Sequence, residues 1–219
     1  NEKGYFGRVL PEGYFDEQQM AGNSWFLRAL VEYYLWKQDE KIYNNIQDIV
    51  NNLILPLKGN MEKYPSKPEQ RKFEGEAAGN LIGEPVNQWY LSTDIGCVFI
   101  MLDGATHAYQ VMKKPELGEV IEEMIGKFEN MDLLALSFQT HATLSALRGI
   151  VRYCEISGKK QYLELAERIF KLYVEEGITE NYANYNWFGR PFWTEPCAII
   201  DSFIAASGLW KNTGKPEYL

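Results

Sequence analysis

The stretch Gly158-Lys-Lys-Gln-Tyr162 returns later in the chain as Gly214-Lys-Pro-Glu-Tyr218. Each copy follows a long apolar run, His141 to Ile156 before the first and Ala198 to Trp210 before the second. A glycine placed just after such a run stops a helix, because it alone adopts the left-handed conformation of a C-cap without strain. After the first turn, Tyr162, Leu165, Ala166, Ile169, Leu172 and Tyr173 recur at helical spacing on one face. The spacing predicts an αα-hairpin, and the second turn predicts the start of another.

Working toward the N-terminus, the same plan repeats. Ser24 to Trp36 is apolar on nearly every side, Lys37 to Lys41 breaks it, and Ile42, Ile46, Ile49, Val50 and Leu53 mark a one-sided helix. Asp94 to Met112 is again apolar all round, Lys113 to Glu116 breaks it, and Leu117, Val120, Ile121, Met124, Ile125 and Phe128 line one face. A helix apolar on most sides packs on two faces, and a one-sided helix faces solvent. The turns inside hairpins are short. The connections into each first helix (1–22, 56–92, 129–139 and 176–194) are mostly long, so the inner helices start at one end of the molecule and the loops gather there.

The expected fold is therefore all-α, of the (α/α)6-toroid type, with about three and a half hairpins present and a pocket at the N-terminal ends of the inner helices. A superhelical solenoid shares the repeats and ranks second, since it needs no long loops at one end. Residues 1–219 are read as a single domain, the N-terminal part of a longer catalytic domain. On this plan the edges of the first and fourth hairpins are apolar, to be covered by a C-terminal part, a partner chain or self-association.

Composition narrows the partners. A chain of 219 residues, 46% hydrophobic, buries a large core, and a net charge of −8 lacks the basic stripe that nucleic acid requires. No apolar run reaches membrane-spanning length. A soluble protein is expected, with the compartment, cytoplasmic or periplasmic, left open. Three cysteines, Cys97, Cys154 and Cys197, point to free thiols or metal ligation rather than a disulfide framework.

The candidate site residues lie at the loop end. In Thr194-Glu-Pro-Cys197, proline suits the first helical position and forces the residue before it out of the helix, which makes Glu195 the cap and puts Cys197 in the first turn. A carboxylate and a sulfur converging at a positive helix end form half of a zinc site. The plain alternative is a first-turn acid beside a cysteine that packs as a small hydrophobe. Of the two histidines, His141 opens a helix and is the candidate site residue. His107 lies roughly 20 Å into its helix at 1.5 Å per residue and reads as structural. Asp94 and Trp89 belong to the second inner helix start. The 176–194 loop adds Glu180, Trp187, Arg190, Phe192 and Trp193, whose ring faces and charges suit the C–H faces and hydroxyls of a sugar, or else form an apolar lid.

Two stretches, Thr140-His-Ala-Thr through Glu167 and Thr194-Glu-Pro-Cys-Ala through Leu219, resemble glycoside hydrolase family 127, the β-L-arabinofuranosidase-like proteins. Trp89-Tyr90 before Asp94 is a fainter echo. The resemblance implies an (α/α)6 barrel that releases terminal β-L-arabinofuranose with retention. It implies a zinc held by the Glu-x-Cys pair and two adjacent cysteines further on, one of them the nucleophile. Glu195 and Cys197 would then be ligands, His141 would contact the sugar, and Glu180 is the nearest match to the catalytic acid/base. The chain departs from the family at Asn23-Ser-Trp25 and Ser92-Thr-Asp94, where the family carries histidines, and it contains no Cys-Cys pair. The nucleophile is therefore expected beyond Leu219.

Hydrolysis of an oligo- or polysaccharide is the leading functional expectation. A non-catalytic toroid binding a glycan or a partner, and a sugar epimerase or lyase on the same fold, remain the alternatives.

Overall fold

The computed structural model describes residues 1–71, 81–191 and 193–219. It is mostly helical, with seven α-helices among the described residues: α1 (Glu17–Lys37), α2 (Glu40–Ile49), α3 (Met101–Met112), α4 (Pro115–Glu129), α5 (Thr140–Ser157), α6 (Gln161–Glu176) and α7 (Pro196–Thr213). The first three hairpins are α1–α2, α3–α4 and α5–α6, and α7 follows as a single helix. α1, α3, α5 and α7 neighbour one another in chain order and form an inner layer, while α2, α4 and α6 pack outside against their hairpin partners. One continuous apolar core runs from Tyr5 to Leu209. No helix among the described residues is long and apolar enough to cross a membrane.

Two expectations change. The segment 1–22 is not wholly irregular: α1 starts at Glu17, because Asp16 is an N-cap whose Oδ1 accepts from Gln19 N at 3.1 Å. Asn23 therefore lies within the helix, where its amide clamps the N-terminal segment by bonding both the N–H and the carbonyl of Phe6. The fold is also not purely helical. Strands β1 (Phe15–Asp16), β2 (Leu81–Val86) and β3 (Trp89–Ser92) form a small sheet in the order β1-β3-β2, with β1 parallel and β2 antiparallel to β3. Asn87 and Gln88 both adopt positive φ (49° and 71°), which is the turn that matches the twist of a two-residue hairpin.

The sheet is tied to α1 by a buried ion pair. Both Glu17 and Arg71 are almost fully enclosed, and the Arg71 guanidinium reaches the carboxylate through two bonds of 2.9 and 3.0 Å. The Tyr64 hydroxyl and the Ser92 N–H donate to the same carboxylate. Four donors from three segments satisfy it, which is what makes a buried charge tolerable. The 56–92 excursion is thereby locked to the first turn of α1.

The inner layer depends on close backbone approach. A Cβ on Gly104 of α3 would lie 2.7 Å from the Ser24 carbonyl oxygen, and one on Gly149 of α5 would lie 2.5 Å from the Leu102 carbonyl carbon. Ser24 uses that proximity: its hydroxyl donates to Ile100 O at 2.6 Å and accepts from Gly104 N at 2.9 Å. At the two ends of the layer the apolar side chains are uncovered, with Trp36 72% exposed on α1 and Phe203 71% exposed on α7, accompanied by Ile200 and Trp210.

Gly104→Ala and Gly149→Ala each force backbone apart and are expected to cost about 1–3 kcal/mol in denaturant unfolding. An unchanged unfolding midpoint in both would contradict the packing described. Arg71→Met strands the Glu17 charge and is expected to cost about 3–5 kcal/mol, much of it restored in the Glu17→Gln/Arg71→Met double variant. Calorimetric comparison of the three proteins checks this.

Candidate functional site at the helix N-termini

The long connections do gather at one end. A pocket of about 330 Å³ opens there, lined from α1 by Gln18, Ala21, Gly22 and Trp25, from the segment before α3 by Ser92, Asp94 and Cys97, and by Gln139, His141, Glu195 and Cys197 at the starts of α5 and α7. A Cβ added at Gly22 would stand in open space, with no atom within 4 Å.

Glu195 occupies the N-cap position of α7 with extended φ and ψ (−117° and 124°), and Pro196 takes the first helical position. The Glu195 carboxylate makes no capping bond to the helix. It accepts instead from Gln139 Nε2 at 3.2 Å. The potential ligand atoms of His141, Glu195 and Cys197 all lie within 4.8 Å of one another. Nitrogen, oxygen and sulfur together are the donor set of a borderline-soft divalent cation, and three protein ligands leave a coordination position open. The sequence reading placed Glu195 and Cys197 together. The third member, His141, was expected only to touch the sugar.

Burial sets the protonation of this trio. It lowers the His141 pKa, against the pull of Asp201, so the imidazole is neutral and able to ligate. It raises the Glu195 carboxyl, with the Asp94 charge adding to the effect, and raises the Cys197 thiol, with Glu195 adding. His141 is itself held in place: its Nε2 lies 3.5 Å from Asp201 Oδ2, and the Trp25 ring stacks on it at 6.1 Å and 16°. Trp25 is 45% exposed and offers a free ring face.

The other expected site residues divide. Asp94 lines the pocket. Trp89 does not: it is fully buried against Phe15 and Tyr64 in the core, so the expected sugar contact is corrected to a packing role. Its place in β3, rather than at a helix start, is the reason. Trp187, Trp193 and Arg190 come together with one another, Trp187 stacking on Trp193 at 5.8 Å with the Arg190 guanidinium 5.8 Å from the Trp187 ring, but they do not line the pocket. Glu180 is exposed on the same loop and also stands outside it. Phe192 lies outside the described residues. The loop is pinned to the α5 start, where Thr140 N donates to Asn186 O and Phe188 N to Phe138 O, both at 3.0 Å.

His107 is structural, as its depth suggests. Its Nδ1–H donates to Asp103 O at 2.8 Å, since a carbonyl can only accept. Burial first, and then Arg152, push the imidazole down to about 4, against the pull of Asp103. Glu32 from α1 and the Asp103 carboxylate are its acidic neighbours, at 3.6 and 3.7 Å.

No family model matches the chain, and no curated protein matches it.

The folded state holds His107 neutral, while the unfolded chain takes up its proton near pH 6.5. The stability tied to this group is full above that pH and falls as pH drops from about 6.5 toward 4, by about 3 kcal/mol in all. Denaturation curves from pH 7 to 4 should show a shallower loss in His107→Gln than in the native protein.

Proposed function

We propose that this chain is a carbohydrate-active domain of the β-L-arabinofuranosidase-like type, in which His141, Glu195 and Cys197 hold a zinc ion in a sugar pocket. The observation that carries the reading is the convergence of three different ligand types, from the starts of two inner helices, on a pocket with an exposed tryptophan face. A bound zinc would supply Lewis acidity toward a substrate oxygen and favour the thiolate form of a coordinated sulfur. The protein's own residues do the positioning. Gln139 orients the Glu195 carboxylate, Asp201 orients the His141 imidazole, and such supporting contacts set ligand geometry. The outer face of Trp25 takes the C–H face of a sugar ring, and Asp94 accepts from its hydroxyls.

The inner layer belongs, on this reading, to an (α/α) ring. The uncovered rows of α1 and α7 are the two edges against which further helical hairpins pack. A second reading, glycan binding without hydrolysis, is favoured by one observation: Glu180, the nearest match to a catalytic acid/base, stands outside the pocket.

The test is metal analysis of the purified protein beside Cys197→Ser and His141→Ala. About one zinc per chain is expected, with affinity reduced by tenfold or more in either variant, read by competition with a chromophoric chelator. Absence of metal in all three proteins would sink the zinc reading. Hydrolysis of aryl arabinofuranosides by the zinc-loaded protein would establish catalysis and exclude the binding-only reading.

A further inference from the structure

The pocket does not end at the zinc-type cluster. A second cavity of about 540 Å³ adjoins it, sharing Trp25, His141 and Cys197 as a common wall and adding Arg28, Arg148, Asp201, Ile200 and Ile204. Its chemistry differs from that of the first. The first carries Asp94 and Glu195, and the second carries two guanidinium groups.

These arginines are held by a polar hub on the inner layer. Asp103 of α3, almost fully buried, takes Arg28 from α1 at 3.1 Å and Arg152 from α5 at 2.6 Å, with Arg148 at 3.6 Å. Arg148 also bonds Asp201 of α7, which accepts the Ser145 hydroxyl as well. Three arginines thus share two aspartates, inside a protein whose net charge is −8. The hub's hydrogen bonding is incomplete. Arg28 is 36% exposed and bonds only Asp103 among the described residues, and the buried Nε of Arg148 has no partner there. A buried guanidinium donor left without a protein partner is uncommon, and ligand or water oxygens satisfy such groups. A carboxylate matches the planar fork of arginine.

We infer that the arginine-bearing cavity receives the carboxylate of an acidic sugar, so that the glycan residue bound here is a uronate rather than a neutral sugar. Its ring stacks on Trp25, its carboxylate meets Arg28 and Arg148, and its hydroxyls face the His141–Glu195–Cys197 end. The hub fixes both guanidinium groups before the ligand arrives, so little side-chain entropy is lost on binding. The inference rests on the carbohydrate reading above and deepens it.

The experiment is calorimetric titration of the whole chain with methyl glycosides in matched pairs, uronate against neutral, in the gluco, galacto, manno and ido configurations. At least one uronate should bind tighter than its neutral partner by about tenfold or more, with a preference that weakens as salt rises. Arg28→Met should abolish the preference, and thermal unfolding should remain cooperative because Arg148 and Arg152 still hold Asp103. Arg28→Lys keeps the charge but not the fork and should reduce the preference without abolishing it. Equal binding within every pair, no binding of any member, or a preference that survives Arg28→Met overturns the inference. Zinc content measured on the same samples separates the two readings. Zinc without acid preference defeats the uronate pocket alone, and acid preference without zinc defeats the metal site alone.

Discussion

A carboxylate carried into the middle of a helical layer must be met by partners, because desolvating an unpaired charge costs more than any packing around it returns. Asp103 is met from two sides. Arg28 reaches it from α1, and Arg148 and Arg152 reach it from α5, so one side chain on α3 fixes how three helices stand relative to one another. Arg148 extends the tie to α7 through Asp201. The glycines make the arrangement possible. Gly104 lets α1 approach α3, Gly149 lets α3 approach α5, and only at that spacing can the arginines bridge the layer. Close packing and ion pairing are here one constraint, since losing either strands the other.

The site inherits its geometry from that constraint. Its residues come from separate helix starts and from the segment leading into α3, and none is held mainly by its own loop. His141 and Cys197 are the second residues of α5 and α7, and Trp25 sits two turns into α1. If α5 slid against α7 by a single turn, about 5.4 Å, His141 would leave the reach of Glu195 and Cys197. The Asp201 carboxylate links the two levels, bonding Arg148 on the hub side and facing His141 on the pocket side.

Much of this was legible in the chain. The twice-used glycine turn, the alternation of all-round and one-sided helices, and Pro196 at the first position of α7 are local signals, and the structure follows them. His107 and His141 separated on depth along their helices alone. What was missed has particular causes. Residues 1–22 read as a connection, yet Asp16-Glu17 is an ordinary N-terminal signal, and Gly22 lies inside α1. Asn87-Gln88 closes a hairpin, but glutamine is an uncommon second residue in that turn, so Trp89 was read at a helix start and not in a strand. Glu17, Arg71 and Tyr64 meet across long stretches of chain, and no spacing rule links them. Arg28 and Arg148 sit in helix interiors, where charged residues usually mean a solvated face, and only the assembled layer brings them to a cavity.

Gly149 and the pocket lie at different heights on α5, whereas the Gly104–Ser24 contact adjoins the pocket residues Trp25 and Ile100. Gly149 is nine residues below Thr140 on α5, roughly 13 Å from the helix start. What holds the layer together is thus in part what faces the second cavity, since Arg28 and Arg148 do both. Substitutions at Arg28 or Arg148 therefore bear on ligand chemistry and on helix register together. A new specificity in that cavity therefore has to keep the ion pairs that join the helices.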